Sequence, residues 1–292
     1  MPTSADVVID AGFELGEGPL YDAASSTLYG VDVPRGVVWG WSPATGGVEQ
    51  LPVGEPVAAL AVIDGGGLLA ATESGVVIVP SLHDAPQPWL VLEADLPTRC
   101  NDGRCDSRGR FLVGTMAPDR SVPGRLYCID HDGTATPILD GLALSNGLDW
   151  SPDGSWLYHV DSLARRVTRY AWDAGAGTAG DPYPIITIAD GDGYPDGLTV
   201  DADGCLWVAL WSGGQVRRYD PAGRQIGVVE LPTPNVTSCA FGGPAMSDLF
   251  VTTAATKPDA TGDARRWGGA VFAIATGARG QATVPFRRDS AD

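Results

Sequence analysis

The sequence predicts an all-β protein, a six-bladed β-propeller with four antiparallel strands per blade, forming a single domain over residues 1–292. An internal repeat, a succession of paired apolar runs and the near absence of helical periodicity support this prediction. The repeat is clearest at Gly103, Gly147 and Gly197, each preceded by Asn or Asp and followed by two apolar runs around an Asp- and Gly-rich turn. A fainter copy begins at Glu17. Repeats at intervals of about 45 to 50 residues are typical of propeller blades.

Six pairs of apolar runs predict the second and third strands of six blades. They are Leu28–Val33 with Val37–Trp41, Leu68–Ala71 with Val76–Val79, Phe111–Thr115 with Arg125–Ile129, Trp156–Asp161 with Val167–Ala171, Leu206–Leu210 with Val216–Tyr219, and Leu249–Thr253 with Ala270–Ile274. A short first strand precedes each pair, at Pro19–Tyr21, Ala58–Val62, Arg104–Asp106, Gly147–Trp150, Gly197–Val200 and Ser238–Phe241. A fourth strand follows most of them, as at Val48–Leu51, Thr136–Leu139 and Gly227–Leu231.

The remaining patterns agree with a closed ring. No stretch has sustained 3.6-residue periodicity, so we expect helices to be nearly absent. We expect Asp6–Asp10 to pair with the last blade, because an unpaired end strand would be an aggregation-prone edge. A two-sheet sandwich is the alternative fold, but it does not account for the repeat.

Charge and composition restrict the partners of the protein. The chain has 19 Lys and Arg against 36 Asp and Glu, a net charge of −17. Because nucleic acids and anionic membranes require a basic patch, we expect neither as a partner. A small molecule is the expected ligand, and a monomer or a weak homo-oligomer is the expected assembly.

The cysteines and the first residues predict a cytoplasmic protein. Residues 1–18 lack the basic head and apolar stretch of a signal peptide, and no run approaches the length of a membrane span. The five cysteines are odd in number and lack C-x-x-C spacing, so neither a zinc site nor a disulfide framework is indicated. We expect them to be reduced and buried.

Four polar residues stand at equivalent positions of the repeat. In an antiparallel blade, the start of the first strand and the second-to-third turn lie at one rim. Glu17, Asn101, Asn146 and Asp196 each precede a first strand, so we expect them to meet at the axis on this rim, here called the site rim. Their oxygen atoms suit a hard divalent metal. Each alone is better explained as a turn or cap residue beside Gly, but their shared placement at equivalent positions of the repeat favours a site.

The opposite rim, here called the far rim, holds the first-to-second turns. Asp106–Gly109, Ser151–Gly154 and Asp201–Gly204 belong there. They superficially resemble calcium loops, but they lack the ligand series of an EF-hand and its final Glu. We interpret them as structural turns.

Six motifs run in order from Gly12 to about Ala275. They are Leu15-Gly-Glu-Gly-Pro19, Arg99-Cys-Asn-Asp-Gly103, Phe111 with Gly114-Thr-Met116, Ser145-Asn-Gly-Leu-Asp-Trp150, Tyr194-Pro-Asp-Gly197 and Thr237-Ser-Cys-Ala-Phe-Gly-Gly243. Together they resemble the senescence marker protein / gluconolactonase / luciferin-regenerating enzyme family, which includes regucalcin. The resemblance implies a six-bladed propeller that hydrolyses a sugar (aldono-) lactone to the sugar acid with a divalent metal ion.

At matching positions, the resemblance assigns the metal ligands to Glu17, Asn146 and Asp196, and substrate contacts to Arg99 and Asn101. We expect Asp196 to act also as the general base. Ca²⁺ is the expected cofactor, and Mg²⁺, Mn²⁺, Zn²⁺ and Fe(II) are alternatives.

Further substrate contacts are expected from the site rim. Asp119 follows the Met of the Gly-Thr-Met motif by three positions, where the resemblance implies an acidic residue for sugar hydroxyls. Its side chain is one methylene shorter than the Glu of the animal proteins. Trp211, in a second-to-third turn, is a candidate stacking surface for a sugar ring.

Two second-to-third connections, Met116–Gly124 and Thr253–Gly269, are longer than a turn and should overhang the site rim. The second carries a cationic and aromatic set that forms either a wall or lid over the ligand, or an ordinary surface loop. Its members are Lys257, Arg265, Arg266 and Trp267.

Other functions remain as alternatives. The protein could be a non-catalytic calcium- or sugar-binding propeller, or a hydrolase of other esters or organophosphates at the same site. A serine hydrolase is disfavoured, because no G-x-S-x-G motif is present. The histidines, His83, His131 and His159, form no convincing triad, and we interpret His159 as a packed strand residue.

Overall fold

The computed structural model describes residues 5–256 and 261–289, and these contain 24 β-strands and one short α-helix. In chain order the elements are β1 (Asp6–Ile9), β2 (Gly16–Asp22), β3 (Thr27–Asp32), β4 (Val37–Trp41), β5 (Val48–Pro52), β6 (Val57–Val62), β7 (Leu68–Thr72), β8 (Gly75–Val79), β9 (Gln87–Val91), β10 (Arg99–Cys105), β11 (Phe111–Met116), β12 (Gly124–Ile129), β13 (Ala135–Leu142), β14 (Ser145–Trp150), β15 (Trp156–Asp161), β16 (Arg166–Asp173), β17 (Thr178–Thr187), β18 (Tyr194–Val200), β19 (Leu206–Trp211), β20 (Gln215–Tyr219), β21 (Gln225–Glu230), β22 (Val236–Gly242), β23 (Asp248–Thr253), α1 (Gly262–Trp267) and β24 (Val271–Ala275).

The strands form six separate four-stranded antiparallel sheets, which confirms the predicted six-bladed propeller. Blades 1 to 5 each take four consecutive strands, from β2–β5 to β18–β21, and blade 6 has the order β22, β23, β24, β1. The pairing of β1 with β24 places Asp6 opposite Ala273 and confirms the expected ring closure. A two-sheet sandwich is excluded.

The hydrophobic core lies between the blades. Six clusters of buried apolar side chains each join two neighbouring blades. In the cluster between blades 2 and 3, for example, Leu69 packs in the same group as Phe111 and Val113. Strands in the middle of a blade are covered on both faces, so β7 and β8 are buried at every residue. This packing brings the six first strands together around the axis.

Every innermost strand has an irregular register near its start. The interruptions lie between Glu17 and Leu20, Val57 and Ala59, Cys100 and Gly103, Ser145 and Leu148, Pro195 and Leu198, and Val236 and Ser238. Such bulges insert unpaired residues and re-aim side chains. The predicted start of one first strand at Arg104 is therefore too late, since β10 begins at Arg99. The bulge leaves Asn101 and Asp102 out of the regular pairing with β11, so the polar start of this strand lacks the pattern of a strand.

Residues 276–289, here called the C-terminal strap, cross the far rim and form hydrogen bonds with all six blades. The strap contacts main-chain groups of Tyr21 in blade 1, Val62 in blade 2, Gly109 in blade 3, Trp150 in blade 4, Val200 in blade 5 and Met246 in blade 6. Phe286 is fully buried in the cluster between blades 2 and 3. The strap thus links blades that do not touch one another.

Two further predictions concern the cysteines and the absence of membrane-spanning segments. The five cysteines are all buried and unpaired, as expected. No helix in the described residues has the length and apolar character needed to cross a membrane.

Candidate active site

A cavity of about 310 Å³ lies at the axis on the site rim. Six of the seven predicted site residues line it: Glu17, Arg99, Asn101, Asn146, Asp196 and Trp211. They come from blades 1, 3, 4 and 5, so the fold gathers residues that are distant in sequence.

The four polar residues lie inside the first strands, at the bulges, and not in turns. Gly147 and Gly197, which follow Asn146 and Asp196, do not have positive φ angles, so neither glycine is needed for a left-handed turn. A Cβ on Gly147 would stand 2.7 Å from the Asp196 carbonyl oxygen and would collide with the backbone of β18. On Gly197 it would collide with Ser238 of blade 6. Glycine is therefore required because the first strands approach one another closely at the axis.

Burial dominates the electrostatics of the site. Glu17, Asn146 and Asp196 are 8%, 7% and 8% exposed. Burial raises the pKa of Glu17 and of Asp196 well above the ordinary values, and the nearby charge of Asp102 raises both further. The charge of Asp196 also raises the pKa of Glu17. The Gly18 N–H, which donates to Oε2 at 2.9 Å, and the Arg99 guanidinium lower this pKa.

Two more charged groups belong to this environment. Asp102 lines a second cavity among the first strands, on the far-rim side of the site, and burial raises its pKa to about 6, with the Gly103 N–H and Arg104 opposing the rise. Burial also lowers the pKa of Arg99. Asp102 is therefore close enough to Glu17 and Asp196 for the carboxylate charges to repel, and a cation beside them would relieve this repulsion.

Hydrogen bonds orient both carboxamides of the site. The Asn101 amide Nδ2 donates to the carbonyl oxygen of Ser145 at 2.8 Å, and the Asn146 Nδ2 donates to Ser162 Oγ at 3.1 Å. Each bond engages an amide N–H and directs the amide oxygen away from that partner. The Asn146 side chain also lies close to Asp196, where its hydrogen bond opposes the rise in the pKa of that carboxyl.

The donor set fits a hard divalent cation. Within residues 5–256 and 261–289, no group of three or more His, Cys, Asp or Glu is arranged to hold a metal ion. The predicted set differs in kind, because Glu17 and Asp196 supply two carboxylates and Asn146 supplies a carboxamide. Such all-oxygen sets suit Ca²⁺, Mg²⁺ or Mn²⁺. A cation among them would also offset the repulsion between the two buried carboxylates.

Asp119 does not line the cavity. It is exposed on the β11–β12 connection, and its carboxylate accepts a hydrogen bond from Ser121 N at 3.0 Å. The adjacent Arg120, with φ of 58°, lines the cavity instead. The contact of Asp119 with a sugar remains a prediction.

The long β23–β24 connection forms no part of the cavity wall where it is described, although Ala254 pairs with the cavity residue Leu15. None of residues 253–256 and 261–269 lines the cavity. Arg265 and Arg266 of α1 are exposed, whereas Trp267 packs against the cluster between blades 5 and 6. Lys257 lies outside the described residues.

Several cavity residues were not predicted from the sequence. Besides Arg120, Met116, Leu163 and Tyr194 line the mouth. Leu163 and Arg120 belong to second-to-third connections and Met116 ends the second strand β11, so the rim argument that selected Trp211 could have selected them as well. Tyr194 precedes Asp196 in the first strand of blade 5, where alternation does not distinguish it from a packing residue.

The fold and the site define a β-propeller with an acidic, oxygen-rich cavity at its axis, and comparisons with known proteins agree with that class. Residues 15–255 match the family described as SMP-30/gluconolactonase/LRE-like region. The chain is 36% identical to pentonolactonase XacC of Haloferax volcanii over 97% of each protein, and 34% identical to regucalcin of Xenopus laevis over 85% of this chain and 86% of the relative. A solved structure of a calcium-binding protein, regucalcin, from Agrobacterium tumefaciens covers 98% of both chains with a TM-score of 0.91 at 29% identity.

The chain belongs to the SMP-30/gluconolactonase/LRE-like family. The family predicted from the six motifs is thereby confirmed. Because the Haloferax relative is named a lactonase, the predicted enzyme class, a hydrolase, is confirmed too.

Proposed function

We propose that this protein hydrolyses a sugar lactone to the corresponding sugar acid in the axial cavity, with one divalent metal ion held by Glu17, Asn146 and Asp196. The observation that carries the proposal is the gathering of two buried carboxylates and an oriented carboxamide from three blades in one cavity. Similarity to a pentonolactonase over nearly the whole chain supports the substrate class. Ca²⁺ is the proposed ion, supported by the oxygen donors and by the calcium-binding relative.

A bound metal ion would polarise the lactone carbonyl, lower the pKa of a water molecule and stabilise the developing oxyanion. Asp196 takes up the proton of the attacking water as general base. The Arg99 guanidinium and the Asn101 side chain, both on the cavity wall, hold the carbonyl and ring hydroxyls in position. Trp211 offers an apolar face to the sugar ring.

Removal of metal tests the proposal directly. Protein treated with a chelator should lose lactone hydrolysis, followed by acid release in a pH-stat, and regain it on addition of Ca²⁺ or another divalent ion. Full activity after verified removal of metal would contradict the proposed metal dependence.

A substrate panel separates the proposal from its alternatives. Pentono- and hexonolactones should be turned over in preference to aryl esters and organophosphates. Turnover of only the latter would indicate a different hydrolase at the same site. Calcium binding without turnover of any substrate would indicate a binding protein.

We also propose that the protein functions in a reducing compartment such as the cytoplasm. Its five cysteines are unpaired and buried, whereas proteins of oxidising compartments commonly use theirs in disulfides.

A further inference from the structure

Behind the cavity wall, Ser145 and His159 form a buried polar pair that the proposed reaction does not use. Ser145 Oγ lies 2.8 Å from Nε2 of His159, and the two residues are 0% and 1% exposed. Burial lowers the pKa of His159 to about 4, so its imidazole is neutral at physiological pH. A hydrogen bond between two neutral groups in such a place has no competing water, which makes it costly to break.

Ser145 is connected to both carboxamides of the site. Its carbonyl oxygen accepts the hydrogen bond from Asn101 Nδ2, and its peptide bond leads directly to Asn146. It is also the last regularly paired residue before the bulge of β14, opposite Asp161. The peptide between residues 145 and 146 therefore determines where both carboxamides point.

Neighbouring residues hold the same peptide from the other side. The Asp161 carboxylate accepts hydrogen bonds from the N–H groups of Ala143 and Leu144 at 2.9 and 3.1 Å, which fixes the approach to Ser145. A Cβ on Gly114 of β11 would lie 2.7 Å from the Ser145 Cβ and would overlap its hydroxyl. Blade 3 thus leaves room for this hydroxyl and for little else.

We propose that His159 and Ser145 are positioning residues: their hydrogen bond fixes the 145–146 peptide and thereby aims the Asn101 and Asn146 carboxamides into the cavity. The inference rests on the proposed function, because it concerns a proposed metal ligand and a proposed substrate contact. Partners behind a ligand commonly change metal affinity or activity by about 10- to 100-fold when they are removed.

The test measures Ca²⁺ affinity by calorimetry without substrate, together with the melting temperature of the metal-free protein. His159→Leu and Ser145→Ala should each lower the affinity by about 10-fold or more. His159→Gln, whose side-chain amide can reach the position of Nε2, should retain most of it. His83→Leu is the matched control, because His83 is an exposed histidine paired only with Glu49, and it should leave the affinity unchanged.

A double variant separates positioning from simple stability. Ser145→Ala/His159→Leu removes both polar partners, so no buried group is left unpaired and the melting temperature should recover towards that of the wild type. Under the proposal, the Ca²⁺ affinity of this variant stays low, and its KM for the lactone is higher than that of the wild type. Recovery of both stability and affinity would show a structural pair and overturn the inference.

The wild-type protein distinguishes this inference from the proposed function. Wild-type protein that binds no divalent cation would refute the proposed site and the inference with it. Wild-type protein that binds Ca²⁺ and hydrolyses lactone, with single and double variants that bind equally well, would overturn the inference alone.

Discussion

Asp196 combines three features that it shares with Glu17. It is 8% exposed, it lies at a bulge of an innermost strand, and burial raises its pKa. A structural turn residue beside glycine would need none of these. Its proposed double role as ligand and base therefore gives it the sharpest single-residue test.

Asp196→Asn retains the size and one oxygen but removes the charge. We expect Ca²⁺ affinity to fall and kcat to fall by roughly 10²-fold or more, the usual scale for loss of a general base. The fold should persist, because the change removes no apolar burial. Asp203→Asn is the control, since this far-rim carboxylate is 82% exposed. Equal losses in the two variants, measured by calorimetry and steady-state kinetics, would contradict the assignment of the two rims.

Asp102 gives a prediction about pH. Burial raises its pKa from 3.8 to about 6, so the folded state binds the proton more tightly than the unfolded state. Its stabilising contribution is fully present below the lower value and is lost as pH rises through about 6. Asp102→Asn removes this loss, so the variant should gain more stability over the wild type near pH 7.5 than near pH 5. Urea unfolding of chelator-treated protein measures the difference, and an equal gain at both pH values would contradict it.

At the scale of the element, the bulged first strands connect fold and site. All six carry the bulge, but only those of blades 1, 3, 4 and 5 place polar side chains from it into the cavity. Blade 2 has Ala58 at this point, and blade 6 has Thr237, whose hydroxyl donates to the Gly16 carbonyl at 2.6 Å. The same bulge therefore places packing residues in two blades and site residues in the other four.

Gly147→Ala tests the close approach of β14 and β18. Its Cβ would collide with the backbone around Leu198, so the strands must separate, and such overpacking typically costs about 1–3 kcal/mol of stability. Because Asn146 and Asp196 flank the contact, Ca²⁺ affinity should fall as well. Urea unfolding and calorimetry measure both.

Gly47→Ala is the matched control, since the nearest atom to a Cβ there is Thr45 Oγ1 at 3.8 Å and Gly47 has no positive φ. We expect its stability to change by no more than about 0.5 kcal/mol. If Gly147→Ala were equally mild, the close contact of the first strands would not be required.

Individual elements indicate what the sequence can predict. The second and third strands, such as β7 and β8, were predicted because continuous apolar runs bounded by turns are a local signal. The start of β10 was not, since its bulge depends on pairing with β11. For the site, repeat position was sufficient to bring Glu17, Asn146 and Asp196 together. The rim argument places the connection that carries Arg120 at the site rim, but no sequence pattern indicates the φ of 58° at Arg120 itself.

At the scale of the whole molecule, the C-terminal strap joins all six blades at the far rim. It has no repeat and no clear periodicity, so sequence patterns did not indicate it. Its position depends on hydrogen bonds to main-chain groups, as between Gln281 Nε2 and the carbonyls of Trp150 and Val200. Only the assembled ring presents those carbonyls together.

Phe286→Ala tests the strap. Phe286 is fully buried, its ring packs edge-on against Trp89 at 5.5 Å, and its N–H donates to the Val62 carbonyl at 2.7 Å. We expect a loss of about 3–5 kcal/mol in the free energy of unfolding, as for other buried phenylalanines. Lactone hydrolysis by the folded variant should persist, because the strap lies on the far rim.

Ile226→Ala, at an apolar position of β21 that is 38% exposed, is the control and should be nearly neutral. A Phe286→Ala variant as stable as this control would mean that the strap contacts the propeller without stabilising it.

The pairing of β1 with β24 also has a consequence during protein synthesis. Asp6–Ile9 emerges from the ribosome early, yet its partner Val271–Ala275 emerges only after the strands of the other five blades. Each of those blades forms from consecutive strands. The ring closes through one contact between distant segments, so the loop-closure entropy of the whole ring opposes this single late step. Until then, the nascent chain carries an unpaired β1 and an incomplete sixth blade with exposed edges. Chaperones cover surfaces of this kind.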